Sequence, residues 1–182
     1  MFETQFLLIS GLKAVKPLDM KTIFLIFGGI ISMLSASAQL KTTPVCPPLT
    51  VDVLAGNINK LLYPKSTLGE IKKALPCFTE VVEQTTDTKC ASVFYTDKDI
   101  YFFPERNYIE IRENFKGKLT PAIMGAGRSS MFSLLGNPVL KDVNWDAFQT
   151  EYGTLVVYYN NTGKINKLQI SSKNTSTLKL CE

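Results

Sequence analysis

The residues best suited to chemistry in this sequence are four cysteines, because the 182-residue chain contains no histidine. Without histidine, Ser-His-Asp and Cys-His nucleophile pairs and histidine-ligated metal sites are excluded. A reactive thiol would need one unpaired cysteine whose pKa is lowered by a nearby base. An even number of cysteines in a chain with a predicted export signal favours disulfides instead. The cysteines are Cys46, Cys77, Cys90 and Cys181.

Three pairings of the four cysteines are compatible with two disulfides. We favour Cys77–Cys90, which closes a local loop, together with Cys46–Cys181, which ties the two ends of the domain together. On the chain-entropy account these bridges contribute roughly 3 and roughly 5 kcal/mol. A zinc site is the alternative, but the spacing contains no Cys-x-x-Cys knuckle. We therefore expect neither a metal nor a cofactor.

Pairs of carboxylates are the remaining candidates for catalysis, since two carboxylates suffice for some hydrolytic reactions. Asp97 and Asp99 fall on a predicted turn, and Glu110 and Glu113 lie near the end of a predicted strand. A turn residue and a solvated strand face explain these positions without chemistry. We therefore expect that the protein is not an enzyme.

The stretch GAGRSSMFSLLGNP, residues 125–138, has the glycine content of a phosphate-binding loop. It lacks the Gly-Lys-Ser/Thr of a Walker loop, and Ser130 stands where a dinucleotide fingerprint needs its third glycine. The stretch instead predicts a helix capped by Ser129 or Ser130 and ended by Gly136-Asn137-Pro138. Its apolar side chains would face inward: Met131, Leu134 and Leu135.

Aromatic residues provide the clearest functional signal. Aromatic side chains on an open sheet face are typical of protein–protein hot spots or of carbohydrate stacking. Packing under helices is the alternative for any one of them. The candidates for partner binding are Tyr95, Tyr101, Phe103, Tyr108, Trp145 and Tyr159.

The N-terminal region has the pattern of a targeting segment. Met20-Lys21 precedes the apolar run TIFLIFGGII and the small-residue site Ala36-Ser37-Ala38, which predicts a signal peptide over 20–38 and an upstream over-extension over 1–19. An uncleaved membrane anchor is the alternative, but the uncharged stretch is short for a span. We expect cleavage near Ala38, no stable membrane anchor, and a Pro-rich extended lead-in over 39–48.

The charge pattern argues against a nucleic-acid partner. The chain carries 20 basic and 16 acidic residues, a net charge of +4. No run of like charge is present to form a phosphate-binding footprint.

The local patterns predict one helix with clear boundaries and several strands. Thr67-Leu-Gly-Glu70 is a capping box, and Pro76 ends the helix that it begins. Asp52 predicts an earlier short helix. The runs ASVFYT, DIYFFP and NYIEIRE alternate with period two, and NNTG at 160–163 predicts a hairpin between GTLVVYY and KINKLQIS. Ile109 and Ile111 would face a core, and the opposite face would be open.

The two halves of the domain share a helix-then-strands pattern. Residues 66–115 and 129–172 each run from a helix and its stop into strands. This predicts an α+β fold of two tandem helix-plus-antiparallel-hairpin modules that form one curved sheet with helices on one face. Residues 49–182 would form a single domain, with module one over 50–118 and module two over 121–174.

Two short motifs resemble a known group of small exported modules. Thr67-Leu-Gly-Glu70-Ile71 and Leu135-Gly136-Asn137-Pro138 are similar to the helix start and helix stop of the beta-lactamase inhibitor protein and SmpA/OmlA lipoprotein superfamily. The chain departs from that pattern at Phe132, where an acid would sit, and at Leu75-Pro76, which lacks the glycine. The resemblance implies binding of another protein on an exposed sheet face, without catalysis.

Together these observations predict a periplasmic or secreted, non-enzymatic protein-binding module of inhibitor, immunity or envelope-assembly type. Its partner would be another protein that contacts the open sheet face. The alternative is a carbohydrate or envelope-ligand binding protein that uses the same surface aromatics.

Overall fold

Strands dominate the architecture of this protein. The computed structural model describes residues 44–83 and 90–181; the predicted segments 1–19 and 20–38 and the first part of the lead-in lie outside the described residues. The helices are α1 (Leu68–Ala74) and α2 (Arg128–Leu135), with a 3₁₀ turn at Pro104–Arg106. The strands are β1 (Thr50–Asp52), β2 (Asn57–Ile58), β3 (Glu80–Val82), β4 (Ser92–Tyr95), β5 (Ile100–Phe103), β6 (Tyr108–Arg112), β7 (Lys118–Thr120), β8 (Leu140–Lys141), β9 (Trp145–Thr150), β10 (Gly153–Tyr159) and β11 (Ile165–Ser171).

Eight strands form one antiparallel sheet in the order β3-β4-β5-β6-β11-β10-β9-β8. The remaining three form a small sheet in the order β2-β1-β7, in which β1 and β7 run parallel. The pairing of β6 with β11 joins the two halves of the large sheet. That join places residues that are far apart in sequence side by side.

One face of the large sheet packs into the core. Ile109 and Ile111 lie in that core with Ile71 of α1 and Met131 of α2, as the alternation of β6 predicts. Val51 and Ile58 of the small sheet join the same cluster. We call the opposite surface of the large sheet the outer face; it is the face to which Tyr108, Glu110 and Arg112 belong.

The predicted architecture of two helix-plus-hairpin modules is wrong. The described residues are mostly β, with two short helices, and a separate three-stranded sheet has no place in that prediction. Residues near Asp52 form β1 and β2 rather than a helix, because the Asp52 carboxylate accepts from the backbone N–H of Leu54 and Ala55 in a turn. Trp145 begins β9, which forms a hairpin with β8 that the sequence patterns do not predict.

The capping box at the start of α1 is confirmed. The backbone N–H of Glu70 donates to Thr67 Oγ1 at 3.3 Å, and the Glu70 carboxylate accepts from the backbone N–H of Thr67 at 2.8 Å. The helix at 128–135 is also present, but neither predicted serine caps it. Gly127 is its N-cap residue, and Leu134 is 40% exposed rather than inward.

The structure contains two disulfides, as the cysteine count predicts, but the favoured pairing is wrong. The bridges join Cys46 to Cys77 and Cys90 to Cys181, with Cα–Cα distances of 5.7 and 6.3 Å. Cys77 lies just before β3 and Cys90 just before its antiparallel partner β4, so they stand at opposite ends of that ladder. No helix within 44–83 or 90–181 is long and apolar enough to cross a membrane.

Candidate functional site

The six predicted aromatic residues divide between the two faces of the large sheet. Tyr95 and Tyr159 lie in the core, so the structure does not place them on a binding surface. The Tyr95 hydroxyl donates to the Leu75 carbonyl at 2.5 Å. Four lie on the outer face by strand alternation: Tyr101, Phe103, Tyr108 and Trp145.

One end of the outer face is an aromatic cluster that is largely covered. Phe103 stacks on Tyr108 with ring centroids 4.4 Å apart, and Phe94 contacts both Tyr101 and Phe103 edge-on. Tyr108 is buried, and burial raises the pKa of its hydroxyl to about 12. This cluster therefore supports the sheet rather than forming a free binding surface.

Residues 172–181, which we call the strap, run across the outer face after β11. Thr154 Oγ1 donates to the Lys173 carbonyl at 2.7 Å, and the backbone N–H of Cys181 donates to the Tyr108 hydroxyl at 3.2 Å. The Cys90–Cys181 disulfide fixes the far end of the strap. Part of the face that the sequence predicts to be open is thus covered by the chain itself.

Beside the strap, one row of side chains crosses four strands. In register, Arg112 of β6 is next to Lys167 of β11, which is next to Tyr158 of β10, which is next to Trp145 of β9. We call these four residues the outer row. The Arg112 guanidinium lies 4.1 Å from the centroid of the Tyr101 ring, and Lys167 Nζ lies 3.9 Å from that of Tyr158. Both cations are thus held against aromatic faces.

A buried carboxylate holds the outer row in place. Glu110 accepts from Arg112 Nε at 2.6 Å and from Gln169 Nε2 at 2.8 Å, and Lys167 Nζ is 4.0 Å away. The Tyr158 hydroxyl donates to Gln169 Oε1 at 2.9 Å. Because a buried charge is costly unless it is paired, these contacts fix the side chains of Arg112, Lys167 and Tyr158.

Two surface depressions meet at the outer row. One, of about 870 Å³, is lined by Asn114, Asn144, Asn160, Asn161 and Asn166, with Asp99 and Glu113. The other, of about 560 Å³, lies between the sheet and the strap. Arg112, Tyr158 and Lys167 line both depressions, so together they form one groove, which we call the outer groove.

Three of the four carboxylates considered for catalysis, Asp97, Asp99 and Glu110, have structural partners. Asp97 pairs with Lys98 at 2.6 Å on the surface. Asp99 accepts from the Tyr101 hydroxyl at 3.1 Å and from the backbone N–H of Asn114 at 2.9 Å. Glu113 lines the asparagine-rich depression. In the part of the chain that the structure describes, no group of three His, Cys, Asp or Glu side chains could hold a metal ion.

The arginine of the glycine-rich stretch, Arg128, forms its hydrogen bonds with other residues of the protein. Arg128 Nε and Nη2 donate to the two carboxylate oxygens of Asp146 at 2.8 and 2.7 Å. Its guanidinium also donates to the carbonyls of Asp142, Val143 and Trp145. These hydrogen bonds to Asp146 raise the pKa of Arg128. The stretch therefore anchors α2 to the β8–β9 hairpin.

Sequence reasoning found Trp145 but missed most of the outer groove. The residues that it missed occupy outward positions of alternating strands: Arg112, Tyr158, Lys167 and Gln169. This alternation is the sequence signal from which they could have been predicted. Comparison with protein-family models, with curated proteins and with solved structures finds no match. The functional argument therefore rests on the geometry of the groove.

Proposed function

We propose that the protein is an exported, non-enzymatic module that binds another protein through the outer groove. The observation that carries this proposal is the outer row, in which Arg112, Tyr158 and Trp145 lie together on the sheet face away from the core. Arg, Tyr and Trp are the residues most enriched at hot spots of protein interfaces. Glu110 holds Arg112, and Gln169 holds the Tyr158 hydroxyl, in a fixed geometry, which lowers the entropic cost of binding.

Export is supported by the two disulfides. Disulfides persist in oxidising compartments and are rare in the cytosol. Both bridges join parts of the chain that are distant in sequence, with separations of 31 and 91 residues. They pin the lead-in and the strap, which are the two ends of the described chain.

Carbohydrate binding is the second candidate, and the five asparagines of the larger depression favour it, because amides can hydrogen-bond sugar hydroxyls. The aromatic rings argue for a protein instead. Sugar stacking requires a free ring face, whereas cations lie over Tyr101 and Tyr158. Of these three rings, Trp145 alone has no ring or cation over it among the residues described, which leaves a sugar a single ring on which to stack.

Affinity capture with matched variants tests the proposal. The wild-type protein, Trp145→Ala and Tyr63→Ala are each immobilised and exposed to the native extracellular and envelope fractions. Tyr63 is a suitable control because its side chain is 41% exposed and lies beside α1, away from the outer face. We expect one stoichiometric partner on the wild type and on Tyr63→Ala, and its loss on Trp145→Ala.

Two results would contradict protein binding through this groove. The first is a partner that all three proteins retain equally. The second is no retained protein together with Trp145-dependent binding on a glycan array, which would establish the carbohydrate alternative.

A further inference from the structure

The outer groove has two arms of different chemistry that meet at Arg112 and Lys167. The strap arm is the depression between the sheet and the strap, and its lining includes six apolar side chains: Leu140, Trp145, Ala147, Val156, Leu178 and Leu180. The asparagine arm is polar and contains the acidic residues Asp99 and Glu113. A partner segment that follows the groove therefore meets apolar side chains in the strap arm and polar or acidic side chains in the asparagine arm.

The junction carries an excess of positive charge. The charged residues that line the strap arm are Glu110, Arg112 and Lys167, so two cations face one carboxylate. Glu110 is buried beneath them, whereas the Arg112 side chain is 49% exposed and that of Lys167 is 32% exposed. The surface that the junction presents toward the strap arm is thus cationic, while Asp99 and Glu113 lie on its other side in the asparagine arm.

Donor groups at the junction remain available. Glu110 occupies Nε of Arg112, and neither Nη atom has a hydrogen-bond partner among residues 44–83 and 90–181. Within the described part of the chain, Lys167 Nζ has one anionic neighbour, at 4.0 Å. Guanidinium Nη edges and an ammonium group are the donors that best match a carboxylate, and here they are already held on aromatic rings.

We infer that the partner inserts a segment with a carboxylate at the junction and an adjacent large apolar side chain in the strap arm. This inference rests on the proposed function and specifies the partner's chemistry. The carboxylate pairs with Arg112 and Lys167. The apolar side chain packs between Trp145 and the leucines of the strap. Asp99 and Glu113 repel a second acidic residue of the partner in the asparagine arm. The acidic residue at the junction therefore lies at one end of the inserted segment.

Selection from a displayed library of random linear peptides on the intact, oxidised protein tests this inference. We expect enriched peptides to place Asp or Glu next to Leu, Ile, Met or Phe. One enriched peptide and its copy with Gln or Asn replacing the acid are then titrated, with the fluorescence of Trp145, the single tryptophan, as the signal. The amide copy should bind about tenfold more weakly, since a charged hydrogen bond is of that order.

Matched variants complete the experiment. Lys167→Gln should weaken the acidic peptide about tenfold but leave the amide copy unchanged, while Lys73→Gln on α1 should change neither. Leu178→Ala should weaken both peptides equally. Enrichment of basic or uncharged peptides, no enrichment, or equal affinity for the acid and its amide copy would overturn the inference. The capture experiment with Trp145→Ala could still succeed in any of those cases, so the two proposals fail separately.

Discussion

At the scale of single residues, Arg128 and Asp146 form an ion pair whose carboxylate is fully buried. The Asp146 side chain is 0% exposed, and it accepts from both Arg128 and the Tyr159 hydroxyl. The Arg128 side chain keeps 27% of its surface exposed and lies 4.8 Å from the centroid of the Tyr159 ring. A planar guanidinium satisfies two carboxylate oxygens and three carbonyls at once, which an ammonium group cannot do.

Arg128→Lys should therefore destabilise the protein although the charge is kept. We expect a loss of about 3 kcal/mol in the free energy of unfolding, because the buried carboxylate loses its bidentate partner. Urea unfolding followed by circular dichroism measures it. Arg112→Lys is the control and should cost less, because that guanidinium is half exposed. Equal losses of unfolding free energy for the two variants would show that Asp146 does not depend on the bidentate guanidinium of Arg128.

Replacement by alanine should change the free energy of unfolding in opposite directions at Gly56 and Gly69. Gly56 has φ +64°, and a Cβ there would lie 2.5 Å from the Tyr152 ring, so Gly56→Ala should cost about 2 kcal/mol. Gly69 lies in α1 with nothing within 4 Å of its Cβ position, so Gly69→Ala should stabilise by about 0.5 kcal/mol. Thermal unfolding of both variants decides whether the close contact at Gly56 is present.

At the scale of elements, α1 depends on its capping box. Thr67→Ala should reduce the free energy of unfolding by about 1 kcal/mol, whereas Thr67→Ser should retain most of it. The backbone N–H of Thr67, which Thr67→Ala keeps, and the Thr67 hydroxyl, which the variant loses, both lower the pKa of Glu70. The carboxylate therefore stabilises the fold above the ordinary glutamate pKa, and this contribution is lost as pH falls through the lowered value. The difference between wild type and Thr67→Ala should therefore shrink below about pH 4. A difference that stays constant down to pH 2 would contradict this account.

The elements with strong local signals were predictable from sequence. The box at Thr67 and the NNTG hairpin were found because their hydrogen bonds are formed within a few residues; Asn160 Oδ1, for example, accepts from the backbone N–H of Thr162. The turn at Asp52 was mistaken for a helix because an aspartate caps a turn and a helix in the same way. The strands around Trp145 were missed because their pairing, rather than their local pattern, defines them.

The disulfides connect elements that the sequence could not pair. Peptide mapping without reduction should recover Cys46 linked to Cys77 and Cys90 linked to Cys181. Replacing Cys90 and Cys181 together by serine should cost about 5 kcal/mol at most, since the closed loop is long. The matched control is the pair Cys46 and Cys77, where the shorter loop predicts about 4 kcal/mol. A peptide that links Cys77 to Cys90 would contradict the ladder of β3 and β4.

At the scale of the whole molecule, sheet order creates the candidate site. Arg112, Trp145 and Lys167 belong to three different strands, and the order β6-β11-β10-β9 brings them into one row. No local pattern reports which strands are neighbours, so the groove could not be predicted even though β6, β10 and β11 could. The strap then covers one part of the outer face and leaves the row accessible beside it.

The most direct measurement is the acrylamide quenching of Trp145 fluorescence in the presence and absence of the captured partner. Trp145 is the single tryptophan of this chain, so a partner that lacks tryptophan, or one labelled with a non-emitting analogue, leaves its signal unmixed. If the outer groove is the binding surface, saturation with the partner shields Trp145 and lowers the quenching constant severalfold. A stable complex in which Trp145 is quenched as readily as in the free protein would contradict the account.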